Sequence, residues 1–144
     1  MPEARPRHEL KLPSDPLRFR EARRWLLGVA RPAGLGARET HELAVALAEA
    51  CANVYRHAYG GRRDGRLDLG LTIDEERVVL RLDHDGPSFD PARDYTPPDL
   101  ERPAEGGYGI YLMSRLVDEV RYEDELGCGR IVLVKRRTAR RRTA

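Results

Sequence analysis

The sequence predicts an α+β protein, a two-layer α/β sandwich with helices on one face of a mixed, mostly antiparallel sheet. Three observations predict it. Segments of period two and of period near 3.6 follow one another in the order βααββ, a long aperiodic stretch, then αββ. RLDLGLTI from Arg66 and RVVLRLDHD from Arg77, joined across Asp74 to Glu76, make a hairpin pattern. Thr40 to Ala58 carries the stripe Leu43, Leu47, Ala50 and Val54, and Gly60-Gly61 stops it.

In chain order, HELKL (His8 to Leu12) alternates polar and apolar residues and is closed by Pro13, which predicts a short first strand. Ser14 or Asp15 can cap a helix with Pro16 in its first turn, where a missing N–H costs nothing. Phe19, Ala22, Leu26 and Val29 then recur at helical spacing until RPAGLG ends the element. The strong helix follows, then the hairpin, with Leu67, Leu69, Leu71 and Ile73 on one strand face and Val78, Leu80 and Leu82 on the next. Asp90 to Glu105 holds Pro91, Pro97, Pro98 and Pro103 without any period, the mark of a functional lid or a disordered segment. A third helix is expected over Ile110 to Leu116, and VDEVRYE and GRIVLVK are expected as two last strands around a turn at Leu126 to Gly129.

A chain of 144 residues with 40% apolar and 35% charged residues fits one domain with a real core. The expected boundaries are a single domain over residues 1–136 and a basic, disordered tail over 137–144. No run approaches a membrane span and the N terminus lacks a signal-peptide core, which predicts a cytoplasmic protein without a membrane. Cys51 and Cys128 have no zinc or CxxC spacing. Of the 26 bases, six lie in KRRTARRRTA at the end, leaving 20 against 24 acids in the body. A solvated tail accounts for that run better than nucleic-acid binding does.

Three stretches could carry chemistry. In LAEACANVYRHAYG, Glu49, Asn53 and His57 recur every four residues, a near-axial row bordering the apolar stripe. A carboxylate there could act as a general base and an amide oxygen could ligate Mg²⁺; on the helix alone an ordinary solvated face remains open. EGGYGI sets Gly106, Gly107, Tyr108, Gly109 and Ile110 before a helix, where free N–H groups and the dipole can hold phosphate, although a plain turn fits as well. HDGPSFDP ends a strand with His84, Asp85 and Gly86, positions that could read a ligand edge or simply form a polar turn.

In this order the stretches resemble the Bergerat (GHKL) nucleotide-binding fold of gyrase, the heat-shock chaperones and histidine kinases. More narrowly they resemble the anti-sigma factor serine-protein kinase family (RsbW-like). LAEACANVYRHAY is similar to that family's N box, DGPSFDP to its first glycine box, and GGYGIYLMSRLVDEVRYE to its second box and following strand. The similarity runs from about Arg20 to Arg136. It implies an ATP- and Mg²⁺-dependent protein serine/threonine kinase of a partner-switching system. The substrate would be a small anti-sigma factor antagonist with an acceptor Ser or Thr, and the kinase, a homodimer, would bind that antagonist or a sigma factor. Asn53 would hold the Mg²⁺ that bridges the ATP phosphates, Glu49 would be the base acting on the acceptor hydroxyl, His57 and Tyr59 would support the pocket wall, and Gly107 and Gly109 would let the backbone approach the phosphates.

The sequence departs from the family in two places. The family pattern has Asp two residues before the first-box glycine; here that residue is His84, and Asp85 comes one residue later and should face the other way. His84 shares a face with Val78, Leu80 and Leu82, so its imidazole should point at the adenine side. Related proteins often show Thr or Asn where this chain has Gly129-Arg130. These departures keep a second reading open, a module that holds nucleotide weakly or not at all and regulates a partner by binding alone.

Overall fold

Period-two alternation of leucine with polar or small residues builds a five-stranded sheet, because each leucine set faces the same side and needs one apolar layer to cover it. The computed structural model describes residues 7–86, 113–125 and 127–138. Its strands are β1 (His8–Pro13), β2 (Arg66–Ile73), β3 (Arg77–His84), β4 (Glu119–Glu125) and β5 (Cys128–Arg136), in the spatial order β1-β2-β3-β5-β4. All four pairings are antiparallel, where the sequence allowed for a mixed sheet.

The register aligns the apolar rows. Leu10, Leu69, Leu82 and Ile131 face one another across four strands, and one row along lie Leu12, Leu67, His84 and Gly129. Helices α1 (Phe19–Ala30) and α2 (Ala37–Asn53) cover this face. Leu26, Leu43 and Leu47 from the helices and Leu69, Leu71, Leu80, Leu82, Ile131 and Leu133 from the sheet form one buried cluster. Each such leucine contributes roughly 1.5–3 kcal/mol relative to exposure.

The caps differ in detail from the sequence reading. Asp15 accepts a hydrogen bond from the Leu17 N–H (3.0 Å) and opens a tight turn, Pro16–Arg18, that leads into α1. Ser14 does something else: fully buried, it donates to the Arg62 carbonyl and accepts from the Gly65 N–H (2.9 Å), tying β1 to the segment after α2. Helix α2 starts at Ala37, three residues before Thr40, with Glu39 in the first turn facing the positive end of the dipole. It widens at its C-terminal end into a π turn, Val54–Ala58, closed by the Tyr59 N–H on the Val54 carbonyl (3.0 Å). Gly60 and Gly61 then take φ of 56° and 86°, a left-handed path open to glycine at no steric cost.

Of the expected third helix, residues 113–116 are helical, with Met113 in the core; the rest lies outside the described residues. At the C terminus the body extends past the expected boundary at 136. Arg137 donates through its backbone to the Glu76 carbonyl (2.8 Å) and through its guanidinium to the carbonyls of Asp74 (2.9 Å) and Ala33 (3.1 Å). The Thr138 N–H reaches Glu39 (3.2 Å). Residue patterning missed this docking because it is polar and has no period.

Candidate functional site

The last turns of α2 and the adjoining ends of β2, β3 and β5 bring several of the singled-out residues together. Asn53 is 1% exposed. Its Oδ1 accepts a hydrogen bond from the Arg56 guanidinium at 3.1 Å, and its Nδ2 is buried with no hydrogen-bond partner among the described residues. Glu49, one turn earlier, is half-buried and lines a largely apolar groove of about 340 Å³ between α1 and α2, beside Phe19, Arg20, Val45 and Ala48. His57 is exposed. The row therefore divides into a buried amide flanked by an accessible carboxylate and an accessible imidazole.

Tyr59 joins the end of α2 to the sheet. Its hydroxyl donates to the Arg66 carbonyl (2.6 Å) and accepts from the Asp85 N–H (2.9 Å), fixing the strand ends that carry His84 and Asp85. Its ring lies against Gly65, where a Cβ would come within 2.6 Å, and stands edge-on to the His84 ring at 6.2 Å.

His84 is 2% exposed on the helix-covered face, as the alternation in β3 requires. Its ring fills the space over Gly129, its partner on β5; any side chain there would overlap Cε1 and Nε2. Burial pushes the imidazole pKa below its ordinary value, against the opposing pull of Asp83 and Asp85, so the ring is neutral at physiological pH. Asp85 points outward and is gripped at both oxygens by Arg66 (2.9 and 2.6 Å), which holds its carboxyl below the usual range. Gly86 sits against Ala58, where a Cβ would come within 2.6 Å of its carbonyl oxygen, so glycine is needed there for packing alone.

Gly106, Gly107, Tyr108, Gly109 and Ile110 lie outside the described residues. Sequence reasoning missed Arg56 and Arg66. Arg56 is three residues from Asn53, a spacing that puts two helical side chains in reach and could have flagged it. Arg66 meets Asp85 through the register of β2 with β3; the hairpin pattern implied the pairing but not the register that sets these two side by side. Cys51 is fully buried and its thiol is pushed up to about 12, an inert core residue.

The site contains the parts that phosphate chemistry needs: a hard amide oxygen already held by a positive charge, a carboxylate one turn away, and a strand end shaped by glycine. Comparison with known proteins points the same way. The family model described as histidine kinase-like ATPase domain matches residues 12–135. The serine-protein kinase RsbW of Bacillus subtilis is 34% identical over 126 residues, 83% of this chain and 79% of that protein. The serine-protein kinase RsbW of Listeria monocytogenes is 33% identical over 124 residues, 81% of this chain and 79% of that one. Among solved structures, the RsbU and RsbW domains of a Mycobacterium tuberculosis protein superpose with a TM-score of 0.65 at 17% identity, over 92% of this chain and 33% of that one. The mycobacterial sensor histidine kinase MprB gives 0.52 at 16% identity, over 90% and 98%.

Proposed function

Because the chain belongs to the histidine kinase-like ATPase family and is similar over 83% of its length to a serine-protein kinase, we propose that it is an ATP-dependent protein serine/threonine kinase of a partner-switching system. Its substrate is a small single-domain anti-sigma factor antagonist carrying an acceptor Ser or Thr. It works as a cytoplasmic homodimer that sequesters either the antagonist or a sigma factor. Among the described residues no helix is long and apolar enough to cross a membrane.

The observation that carries the reading is Asn53. A buried amide whose nitrogen has no partner costs about 1–3 kcal/mol, and an apolar residue would fill the end of α2 without that cost. Its oxygen already accepts from a cation, so the donor set fits Mg²⁺, which takes one or two protein oxygens and completes its shell with phosphates and water. When bound, Mg²⁺ neutralises charge on the transferring phosphoryl group. The protein's own contribution is placement. Asn53 fixes the triphosphate relative to α2, and Glu49 orients the incoming hydroxyl and accepts its proton. By resemblance to the family's second glycine box, Gly106, Gly107, Tyr108, Gly109 and Ile110 are assigned to the nucleotide, and His57 to support of the helix end. Phosphoryl transfer needs little more than this positioning and charge compensation.

His84 favours a second reading. A neutral imidazole, together with Gly129, occupies the place where the family pattern has a carboxylate, so nucleotide could be held weakly and the partner regulated by binding alone. Incubating the protein with γ-labelled ATP, Mg²⁺ and the antagonist separates the two. Label on the antagonist, lost by about 10²–10⁴-fold in Glu49→Gln while ATP binding persists, supports the kinase. Stable antagonist binding with no transfer supports the module.

A further inference from the structure

We propose that Arg56 is a placeholder for the divalent cation: in the nucleotide-free protein its guanidinium holds the Asn53 side-chain oxygen, and it leaves that oxygen when Mg-ATP enters. The proposal rests on the nucleotide site described above and adds to it a residue that the sequence motifs do not single out.

Geometry comes first. Arg56 donates to Oδ1 at 3.1 Å. A guanidinium has only donors, so it can face the oxygen of the amide and never its NH₂ group. Arg56 therefore fixes the amide's orientation, turning Oδ1 toward the guanidinium and leaving Nδ2 buried without a partner among the described residues. The cation ligand is thus aimed before any cation arrives.

Local structure explains why this arginine can do it. Asn53 is the last residue of α2, and Arg56 lies in the π turn that follows, where the Tyr59 N–H closes on Val54. Such wide turns inside helices frequently mark functional sites. Asn53 is buried whereas Arg56 is exposed, so the guanidinium can swing away without disturbing the core.

Electrostatics makes the two occupants exclusive. A dication and a guanidinium on one oxygen would sit a few ångströms apart and repel, so the exchange is a replacement rather than a sharing. Arg56 then sets the Mg²⁺ concentration at which nucleotide is taken up, since each binding event must break its hydrogen bond to Asn53.

Calorimetric titration of the full chain with ATP at graded MgCl₂ tests this, for the parent, Arg56→Ala and Arg56→Gln. The Mg²⁺ midpoint for ATP uptake is expected to fall about two- to fivefold in Arg56→Ala, the size of an exposed ionic contact and less than a buried charge-assisted hydrogen bond, because the guanidinium is exposed. In Arg56→Gln, which keeps a neutral donor, it should fall less. ATP affinity in EDTA should stay unchanged, and the Asn53 side-chain amide resonances should move on loss of the guanidinium and again on Mg-ATP addition. An unchanged or raised midpoint overturns the proposal. So does an equal loss of ATP affinity with and without Mg²⁺, which would make Arg56 a phosphate contact. If the parent itself shows no Mg²⁺-dependent ATP binding, the nucleotide reading falls and this inference with it; the first two failures leave parent binding intact.

Discussion

Gly129→Ala places one methyl group where the His84 ring lies. The backbone at 129 tolerates alanine, since its φ is outside the left-handed region, so the entire effect comes from packing. The new Cβ would overlap Cε1 and Nε2 and lie 3.2 Å from Cδ2. A ring at the end of a flexible side chain could turn aside cheaply, but this one is 2% exposed, with Leu67 paired on one side and the Tyr59 ring edge-on at 6.2 Å. Overpacking of this kind costs about 1–3 kcal/mol. Replacing a strand glycine returns roughly 0.5–1 kcal/mol of chain entropy. The net expectation is a loss of about 1–2 kcal/mol, or a Tm lower by roughly 2–8 °C for a domain near this size.

The same substitution made in a His84→Ala background meets an empty space, so it should be neutral or stabilising. Urea unfolding of the parent, both single variants and the double variant forms a cycle. The double variant should be less destabilised than the sum of the singles by at least about 1 kcal/mol. Additivity within about 0.5 kcal/mol would refute the account, because it would mean that His84 does not occupy the volume above Gly129.

Three other outcomes follow from named contacts. The folded-state pKa of His84 is depressed, so the unfolded chain takes up the proton first. Stability should be full above the unfolded value of about 6.5 and decline as pH falls below it, and His84→Asn should flatten that decline in melts between pH 8 and pH 5. A chain ending at Arg136 loses the Arg137 and Thr138 hydrogen bonds to the turn after β2, to Ala33 and to Glu39; its Tm should drop by several degrees. A chain ending at Thr138 should melt within about 2 °C of the parent, and equal melting of the two would show the docking to be worthless. Lys135 donates to Glu42 and to the Leu116 carbonyl, both at 2.6 Å, and holds the Glu42 carboxyl below its ordinary range; Lys135→Met should cost about 1–3 kcal/mol at pH 7 in urea unfolding, and the cost should shrink as pH falls through the lowered Glu42 pKa.

The elements were legible because each has a local cause. Leucine alternation located β2 and β3, the Leu43 to Val54 stripe and the paired glycines located α2, and strand periodicity turned His84 inward. What the sequence left open depends on pairings between distant segments. Asn53 with Arg56 was within reach of a spacing argument, yet the burial of one and the exposure of the other come from how α2 lies on the sheet. Arg66 with Asp85, and His84 with Gly129, exist only once β2, β3 and β5 are in register. The docking of Arg137 depends on the turn after β2 and the loop after α1 meeting at one point, and no single segment encodes that.

The two departures from the family pattern become one structural statement when the strand period is applied. A strand alternates faces, so a carboxylate displaced by one residue from position 84 to position 85 changes sides. On the outer side Asp85 has a ready cation in Arg66, and its backbone N–H is held by Tyr59. It is therefore committed to fastening β3 to β2 and to the end of α2. Turning it inward would break the Arg66 clamp and displace the buried His84 ring. The inward position is filled by that imidazole, whose volume is admitted by the missing side chain at Gly129. If adenine is read at this strand end, the polar contact offered there is a neutral ring nitrogen rather than a carboxylate. A carboxylate strongly favours the adenine amino group over the guanine carbonyl, whereas a neutral imidazole can donate or accept according to its tautomer. Discrimination between ATP and GTP should thus be weaker here than with an aspartate at position 84. His84→Asp paired with Gly129→Thr should sharpen it in competition binding, and an unchanged ATP-to-GTP ratio in that double variant would remove position 84 from base recognition.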